Sequence, residues 1–335
     1  MTTPHLTPPA QPGATVLVTG AAGFIGSHVS EALLARGQRV IGLDNFDPFY
    51  PRPVKQRNVE EINAASSIGF ELVEGDICDA LLVRSLLARF RPSGIIHLAA
   101  KAGVRPSIAD PAGYSRTNVL GTSVLLEEAR RAGVERFVMA SSSSVYGNAP
   151  KVPFSEADDV SEPISPYAAT KRSCELLAYA HWHLTRMPTA CLRFFTVFGP
   201  RQRPDLAIAL FLGRISRGEP IDVFGDGSSS RDYTFIGDIV QGVVAAYDRV
   251  DRFGYRVWNL GHSEPVSLRE MIATIARTVG REAGIVPKPA QPGDVERTFA
   301  DLTRSRAELG YAPRTPFAEG VAKHWAWMSR LPTQG

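Results

Sequence analysis

Three cysteines in 335 residues, Cys78, Cys174 and Cys191, are too few and too irregularly spaced for a disulfide framework or a zinc site. Their scarcity predicts a reducing, cytoplasmic home, and no metal is expected. His181 and His183 sit two apart in a helical pattern, on different faces, so they form no metal pair. No segment approaches the roughly 18 apolar residues that a membrane span needs, so no membrane partner is expected. No Lys/Arg run reaches five residues, and 37 basic against 34 acidic side chains leave a net charge of +3. That balance carries no footprint for nucleic acid. There is no internal repeat. Low complexity is confined to the Thr- and Pro-rich stretch Met1 to Pro12, which lacks an apolar core. Residues 1–13 read as a loose tail, not a signal peptide.

What remains is the composition of an ordinary globular chain, 44% hydrophobic and 21% charged. Short apolar, β-branched runs predict strands at 14–19, 39–43, 70–74, 94–98, 136–140 and 189–195. Helical patterns fall between them at 24–36, 80–90, 117–132 and 167–184. This alternation predicts an α/β, Rossmann-type, doubly wound parallel sheet. After about residue 196 the chain turns to short pieces separated by Gly199-Pro200 and Gly225-Asp226-Gly227. A smaller C-terminal α/β lobe at 196–231 and 262–330 is expected there, with a return to the main domain (14–195) at about 232–261.

Gly20-Ala21-Ala22-Gly23-Phe24-Ile25-Gly26 places glycines three apart between a strand and a helix. Such a turn lets backbone approach a pyrophosphate, and the helix start offers free N–H groups to it. Asp44 closes the second strand, where a carboxylate accepts from a ribose 2′-hydroxyl and repels a 2′-phosphate. The cofactor expected is NAD. Tyr167 and Lys171, four apart, share a helix face after Ser165-Pro166. A phenol is a poor base at its reference pKa of roughly 10, and a nearby ammonium stabilises the phenolate. Ser141 to Ser144 follow an apolar strand, at the end of a parallel sheet where ligands bind.

With these motifs the chain resembles the extended short-chain dehydrogenases, specifically the nucleotide-sugar epimerases and dehydratases, from about residue 14 to 311. Val145-Tyr146-Gly147, His97 to Lys101, Asn118 before Val119-Leu120-Gly121-Thr122, and Arg231-Asp232-Tyr233 carry the likeness. The resemblance implies a catalytic set of Ser142, Tyr167 and Lys171. Around the cofactor it implies Asn45, Asp76, Ile77, Leu98, Ala99, Ala100, Lys101, Asn118, Ser141 and Phe194, beside the glycine turn and Asp44. Asn118 would also support the helix carrying Tyr167, while His97 reads better as a satisfied core histidine. Ser143 and Ser144 stand where sugar dehydratases carry an Asp-Glu pair, which favours 4-epimerisation through a 4-keto intermediate with NAD kept bound.

Residues 193–205, from Arg193-Phe194-Phe195-Thr196 to Arg203-Pro204-Asp205, look like UDP-glucuronate 4-epimerases. So do 101–105 and Gln291-Pro292-Gly293-Asp294-Val295. By that likeness Thr196 and Arg203 would hold a C5 carboxylate. Arg201 and Arg203 are alternatively loop charges or diphosphate ligands. Arg105, Ser143, Ser144, Val223, Phe224, Arg231 and Asp294 complete the implied UDP-sugar contacts. A UDP-glucose 4-epimerase, a UDP-glucuronate decarboxylase and a non-catalytic NAD-binding protein stay open as alternatives. Relatives pair the helices matching 117–132 and 167–184 across a twofold axis, so a homodimer is expected.

Overall fold

A computed structural model describes residues 13–66, 69–289 and 297–331. Twelve strands follow in chain order among them. They are β1 (Thr15–Thr19), β2 (Arg39–Asp44), β3 (Phe70–Glu74), β4 (Gly94–His97), β5 (Arg136–Ser142) and β6 (Thr189–Phe194). The later ones are β7 (Thr196–Phe198), β8 (Ile221–Phe224), β9 (Ser230–Phe235), β10 (Tyr255–Leu260), β11 (Pro265–Ser267) and β12 (Ile285–Lys288). Seven of them form one sheet in the order β10-β6-β5-β4-β1-β2-β3, every pair parallel.

Side chains alternate across this sheet. From β1, Val16 and Val18 join one buried cluster with Val29, Leu33, Ile239 and Val243. Leu17 points the other way, to Val83, Leu125 and Cys174. Helices therefore cover both faces, which is why these strands read as continuous apolar runs. The chain runs outward from β1 through β2 and β3, then crosses back to β4. The gap between β1 and β4 is thus a switch point, and ligands of such sheets bind beyond the strand ends there.

Beyond β6 stand a three-stranded sheet, β11-β9-β7, and a two-stranded one, β12-β8, over their own apolar cluster. Residues 117–132 depart from the expected single α-helix. A π-helical turn, Ser115–Leu120, precedes the α-helix Gly121–Ala132. Such a widened turn commonly marks a functional position, and here it carries the buried Asn118. A further helix, Arg52–Ala65, was not expected, because its sequence is mostly polar. It buries just Lys55, Asn58 and Ile62.

Candidate active site

The turn after β1 is built as its glycines suggest. Gly20 has φ +71°, a region that favours glycine, and a Cβ there would lie 2.8 Å from Ala99 N. A Cβ at Gly26 would lie 2.0 Å from the Gly20 carbonyl oxygen, a backbone atom that cannot step aside. Gly23 caps the helix Phe24–Ala35, and no side chain caps it. Its first-turn N–H groups stay available to an anion. These features fit a dinucleotide pyrophosphate. Gly26→Ala should therefore yield protein stripped of nicotinamide nucleotide, measured by chromatography of the denatured supernatant. Nucleotide retained as in the wild type would refute this.

The turn opens into a cavity of about 450 Å³ that runs across the carboxyl ends of the sheet. Gly20, Gly23, Phe24, Ile25, Gly26, Asp44, Asn45, Ile77, Leu98, Ala99, Ala100 and Lys101 line it. So do Ser141, Ser142, Ser143, Ser144, Tyr167, Lys171, Phe194, Thr196 and Arg203. A volume in this range suits a ligand held mainly by apolar walls and a few placed polar groups.

Each candidate catalytic side chain is held by an identifiable partner. Ser165 Oγ accepts the Ala168 N–H at 3.1 Å and Pro166 occupies the first turn, so the helix Pro166–Thr185 starts just before Tyr167. The Tyr167 ring meets Tyr114 edge-on, with centroids 6.2 Å apart. One turn on, Lys171 is buried, and its Nζ donates to the Ala140 carbonyl at 2.8 Å. Ala140 and Ser142 share β5, so this bond ties the lysine to the strand that presents the hydroxyl. Ser142 Oγ accepts the Ser144 N–H at 3.1 Å and lies 3.1 Å from Ser144 Oγ. Ser141 points elsewhere and donates to Glu175 Oε1 at 2.6 Å.

Six of the expected contacts lie off the cavity wall. Asp76 is turned to Arg116 at 3.2 Å and to the Cys78 N–H at 2.9 Å. Asn118 is buried and acts as a splint. Its amide exchanges hydrogen bonds with the Lys101 backbone, at 2.9 and 3.0 Å, and donates to Thr170 Oγ1 at 3.0 Å. It ties the Lys101 segment to the Tyr167 helix without facing the ligand space. Val223 packs into the apolar cluster under the two smaller sheets. Arg105 lies over the Phe224 ring at 5.3 Å, outside the cavity, and Arg231 donates to the Ser230 carbonyl at 3.0 Å. Asp294 lies outside the described residues.

His97 is a core histidine. Its ring contacts Thr19 Oγ1 at 2.7 Å and Thr122 Oγ1 at 3.1 Å. Burial, with the Lys171 charge nearby, pushes its pKa down to about 3 and keeps it neutral. Arg201 is neither a loop charge nor a ligand. It is buried and paired with Glu31 at 2.6 Å and Glu61 at 2.5 Å. Arg203 does face the cavity, and Asp205 holds it side-on at 3.0 and 2.7 Å. Tyr50 and Lys55 also line the wall, and neither is marked by a motif. The signal for Lys55 was its helical spacing with Asn58 and Ile62 on a buried face.

A family model described as GDP-mannose 4,6 dehydratase matches residues 17–324. UDP-glucuronate 4-epimerase 5 of Arabidopsis thaliana is 40% identical over 337 residues, covering 96% of this chain and 76% of its own. The UDP-glucuronic acid 4-epimerase of Bacillus cereus, solved with UDP-glucuronic acid and NAD, superposes with a TM-score of 0.88 at 34% identity. It covers 94% of this chain and 99% of its own. The UDP-glucose 4-epimerase of Thermotoga maritima, solved with UDP-glucose, gives 0.86 at 32%, over 94% and 99% of the two chains. With a glycine turn at the switch point and a hydroxyl, tyrosine and lysine lining the same cavity, the chain belongs to the extended short-chain dehydrogenase/reductase family of NAD-dependent nucleotide-sugar epimerases and dehydratases.

Proposed function

We propose that the protein is a UDP-glucuronate 4-epimerase that interconverts UDP-glucuronate and UDP-galacturonate with NAD held through turnover. The observation that carries this reading is that Ser142, Tyr167, Lys171, Thr196 and Arg203 all line one cavity. NAD, which the glycine turn at 20–26 and Asp44 would hold, would supply reversible hydride chemistry at the sugar C4, with zero net redox. Tyr167, as phenolate, takes the proton from the 4-hydroxyl, and Ser142 Oγ holds that hydroxyl in place. Lys171 keeps a positive charge beside the phenolate.

Dehydration would need an acid near Ser142 to expel the 6-hydroxyl. Ser143 and Ser144 occupy that place, and among the described residues the acids on the wall are Asp44 and Asp47. Asp44 ends β2, three strands from β5. At about 4.8 Å per strand that is about 14 Å away.

Arg203 suits a uronate. A guanidinium has about five N–H donors. Asp205 takes two of them, and the Ala102 carbonyl takes one at 3.1 Å. One donor on each Nη remains to fork onto a carboxylate, with the Thr196 hydroxyl on the same wall. Holding that carboxylate also guards the 4-keto sugar, a β-keto acid, against loss of carbon dioxide. The uridine end would extend past the cavity toward the Arg105–Phe224 pair and Arg231.

Purified protein incubated with UDP-glucuronate and no added NAD should give UDP-galacturonate without accumulating NADH. Product from UDP-glucose alone would overturn the uronate reading, and UDP-xylose would assign a decarboxylase. In the same reading the enzyme is a cytoplasmic homodimer built through the helices Gly121–Ala132 and Pro166–Thr185. Exposed Leu176, Tyr179 and Leu184 on the second helix support that face. Light scattering at monomer mass would exclude it.

A further inference from the structure

The loop after β7 carries two arginines, one facing the cavity and one turned away from it. Residues 199–206 join β7 to the helix Ala207–Arg217, and Arg203 reaches the cavity from their midst. Little outside the loop holds Arg203. Asp205, which clasps it side-on, belongs to the same loop and travels with it. Beyond the loop it touches the Ala102 carbonyl at 3.1 Å and the face of the exposed Phe49 ring at 4.5 Å. One neutral acceptor and one ring at an exposed site are modest tethers.

Two residues earlier the loop is pinned. Arg201 is buried, and its Nη2 donates to Glu31 at 2.6 Å while its Nε donates to Glu61 at 2.5 Å. Glu31 lies on the helix Phe24–Ala35, which opens on the glycine turn, and Glu61 on the helix Arg52–Ala65. Trp327, on the helix Phe317–Met328, steadies Glu61 by donating to its other oxygen at 3.2 Å. Burial and the Arg201 charge push the pKa of His28, one turn before Glu31, down to about 4. His28 therefore adds no second positive charge to compete for the two acids. The pin also marks the backbone. Arg201 has φ +65°, a left-handed conformation that a residue with a side chain keeps only where its surroundings over-determine it. Two charge-assisted bonds to two different helices do so here.

We propose that Arg201 is a positioning residue of the uronate site: its bonds to Glu31 and Glu61 lock the 199–206 loop in the conformation that presents Arg203 to the sugar carboxylate. The inference rests on reading Arg203 as the carboxylate ligand. Arg201 acts through Gln202 and the backbone, since it does not itself line the cavity. Without its acids the guanidinium would be a buried charge with no counterpart. The loop would then relax out of its left-handed turn and carry Arg203 away from the carboxylate. The uridine diphosphate, which in that reading lies toward Phe224 and Arg231, would keep its contacts.

The test titrates UDP-glucuronate and UDP calorimetrically into the NAD-loaded full chain. Each variant is built on Tyr167→Phe, so that the sugar is not turned over. Arg203→Met should weaken UDP-glucuronate by at least about tenfold and leave UDP within about twofold. Arg201→Met should do the same, and so should Glu31→Gln/Glu61→Gln, which removes the pin from its other side. Arg201→Met/Arg203→Met should bind no more weakly than Arg203→Met, because a residue that acts through another adds nothing once that other is gone. Circular dichroism and nucleotide content check each fold, and Glu31→Gln/Glu61→Gln carries the test if Arg201→Met does not fold. UDP weakened as much as UDP-glucuronate, or losses that add in the double variant, would overturn the positioning role in favour of general support. So would a folded Arg201→Met that binds UDP-glucuronate as tightly as Tyr167→Phe alone. Arg203→Met with undiminished UDP-glucuronate affinity would instead sink the carboxylate reading beneath it.

Discussion

Tyr167→Phe should reduce kcat by about a thousandfold while leaving bound nucleotide and UDP-sugar affinity near wild type. The size follows from removing the proton acceptor, since a positioned acid or base is worth about 10² to 10⁴ in rate. The selectivity follows from packing. The ring meets Tyr114 edge-on, and phenylalanine keeps that contact. The main chain is held independently, because the Tyr167 N–H donates to Ser107 Oγ at 3.1 Å. Ser142→Ala should cost less, about a hundredfold, since it orients the hydroxyl without removing the base. Turnover by product chromatography, beside nucleotide content and UDP-sugar titration, separates the cases. A tyrosine variant keeping a tenth of its activity would remove Tyr167 from the mechanism.

The parts of this site legible in sequence are those where local geometry and chemistry coincide. Glycines three apart after an apolar run dictate a turn whatever the remainder of the chain does, and that turn sits at the switch point. Tyr167 and Lys171 are placed by one helix, and Ser142 by one strand end. What was misread depends on contacts distant in sequence. Arg201 stood between a loop charge and a diphosphate ligand because Glu31 and Glu61, which pair with it, lie some 140 to 170 residues earlier. Asn118 supports the Tyr167 helix as the resemblance implied, while Asp76, expected beside the cofactor, turns to Arg116, and spacing alone does not fix side-chain direction. Lys55 was missed for the opposite reason. Its helix is polar, so the one buried stripe that carries it leaves a weak periodic signal. The π-helical turn at Ser115–Leu120 has no compositional mark; it carries Asn118, whose partners Lys101 and Thr170 lie on other segments.

Glu175→Ala should be among the most destabilising single changes in the chain, although Glu175 lines no part of the main cavity. Its carboxylate is fully buried and meets Arg193 through two bonds of 2.9 Å. It also accepts from Ser141 Oγ at 2.6 Å and from Arg172 at 3.1 Å. Burial alone would raise its pKa, and Arg193, Ser141 and Arg172 outweigh that and hold it below the usual carboxylate range. Arg193 is 2% exposed and lies over the Tyr146 ring at 4.8 Å. Deleting Glu175 leaves that guanidinium charged in a dry site, at a cost of about 3–5 kcal/mol. At about 2–4 °C per kcal/mol for a domain of this order, Tm should fall by at least about 6 °C. By contrast Glu127, whose partners Arg130 and Arg131 are solvent-exposed, should give a change worth about 1 kcal/mol or less on replacement by alanine. The double change Glu175→Leu/Arg193→Met should recover most of the loss, because removing both charges removes the orphan. Thermal melts of the four proteins decide it. A Glu175→Ala variant that melts with the Glu127→Ala control would mean water reaches Arg193. The pair would then be no internal anchor for the end of β5, where Ser141 and Ser142 stand.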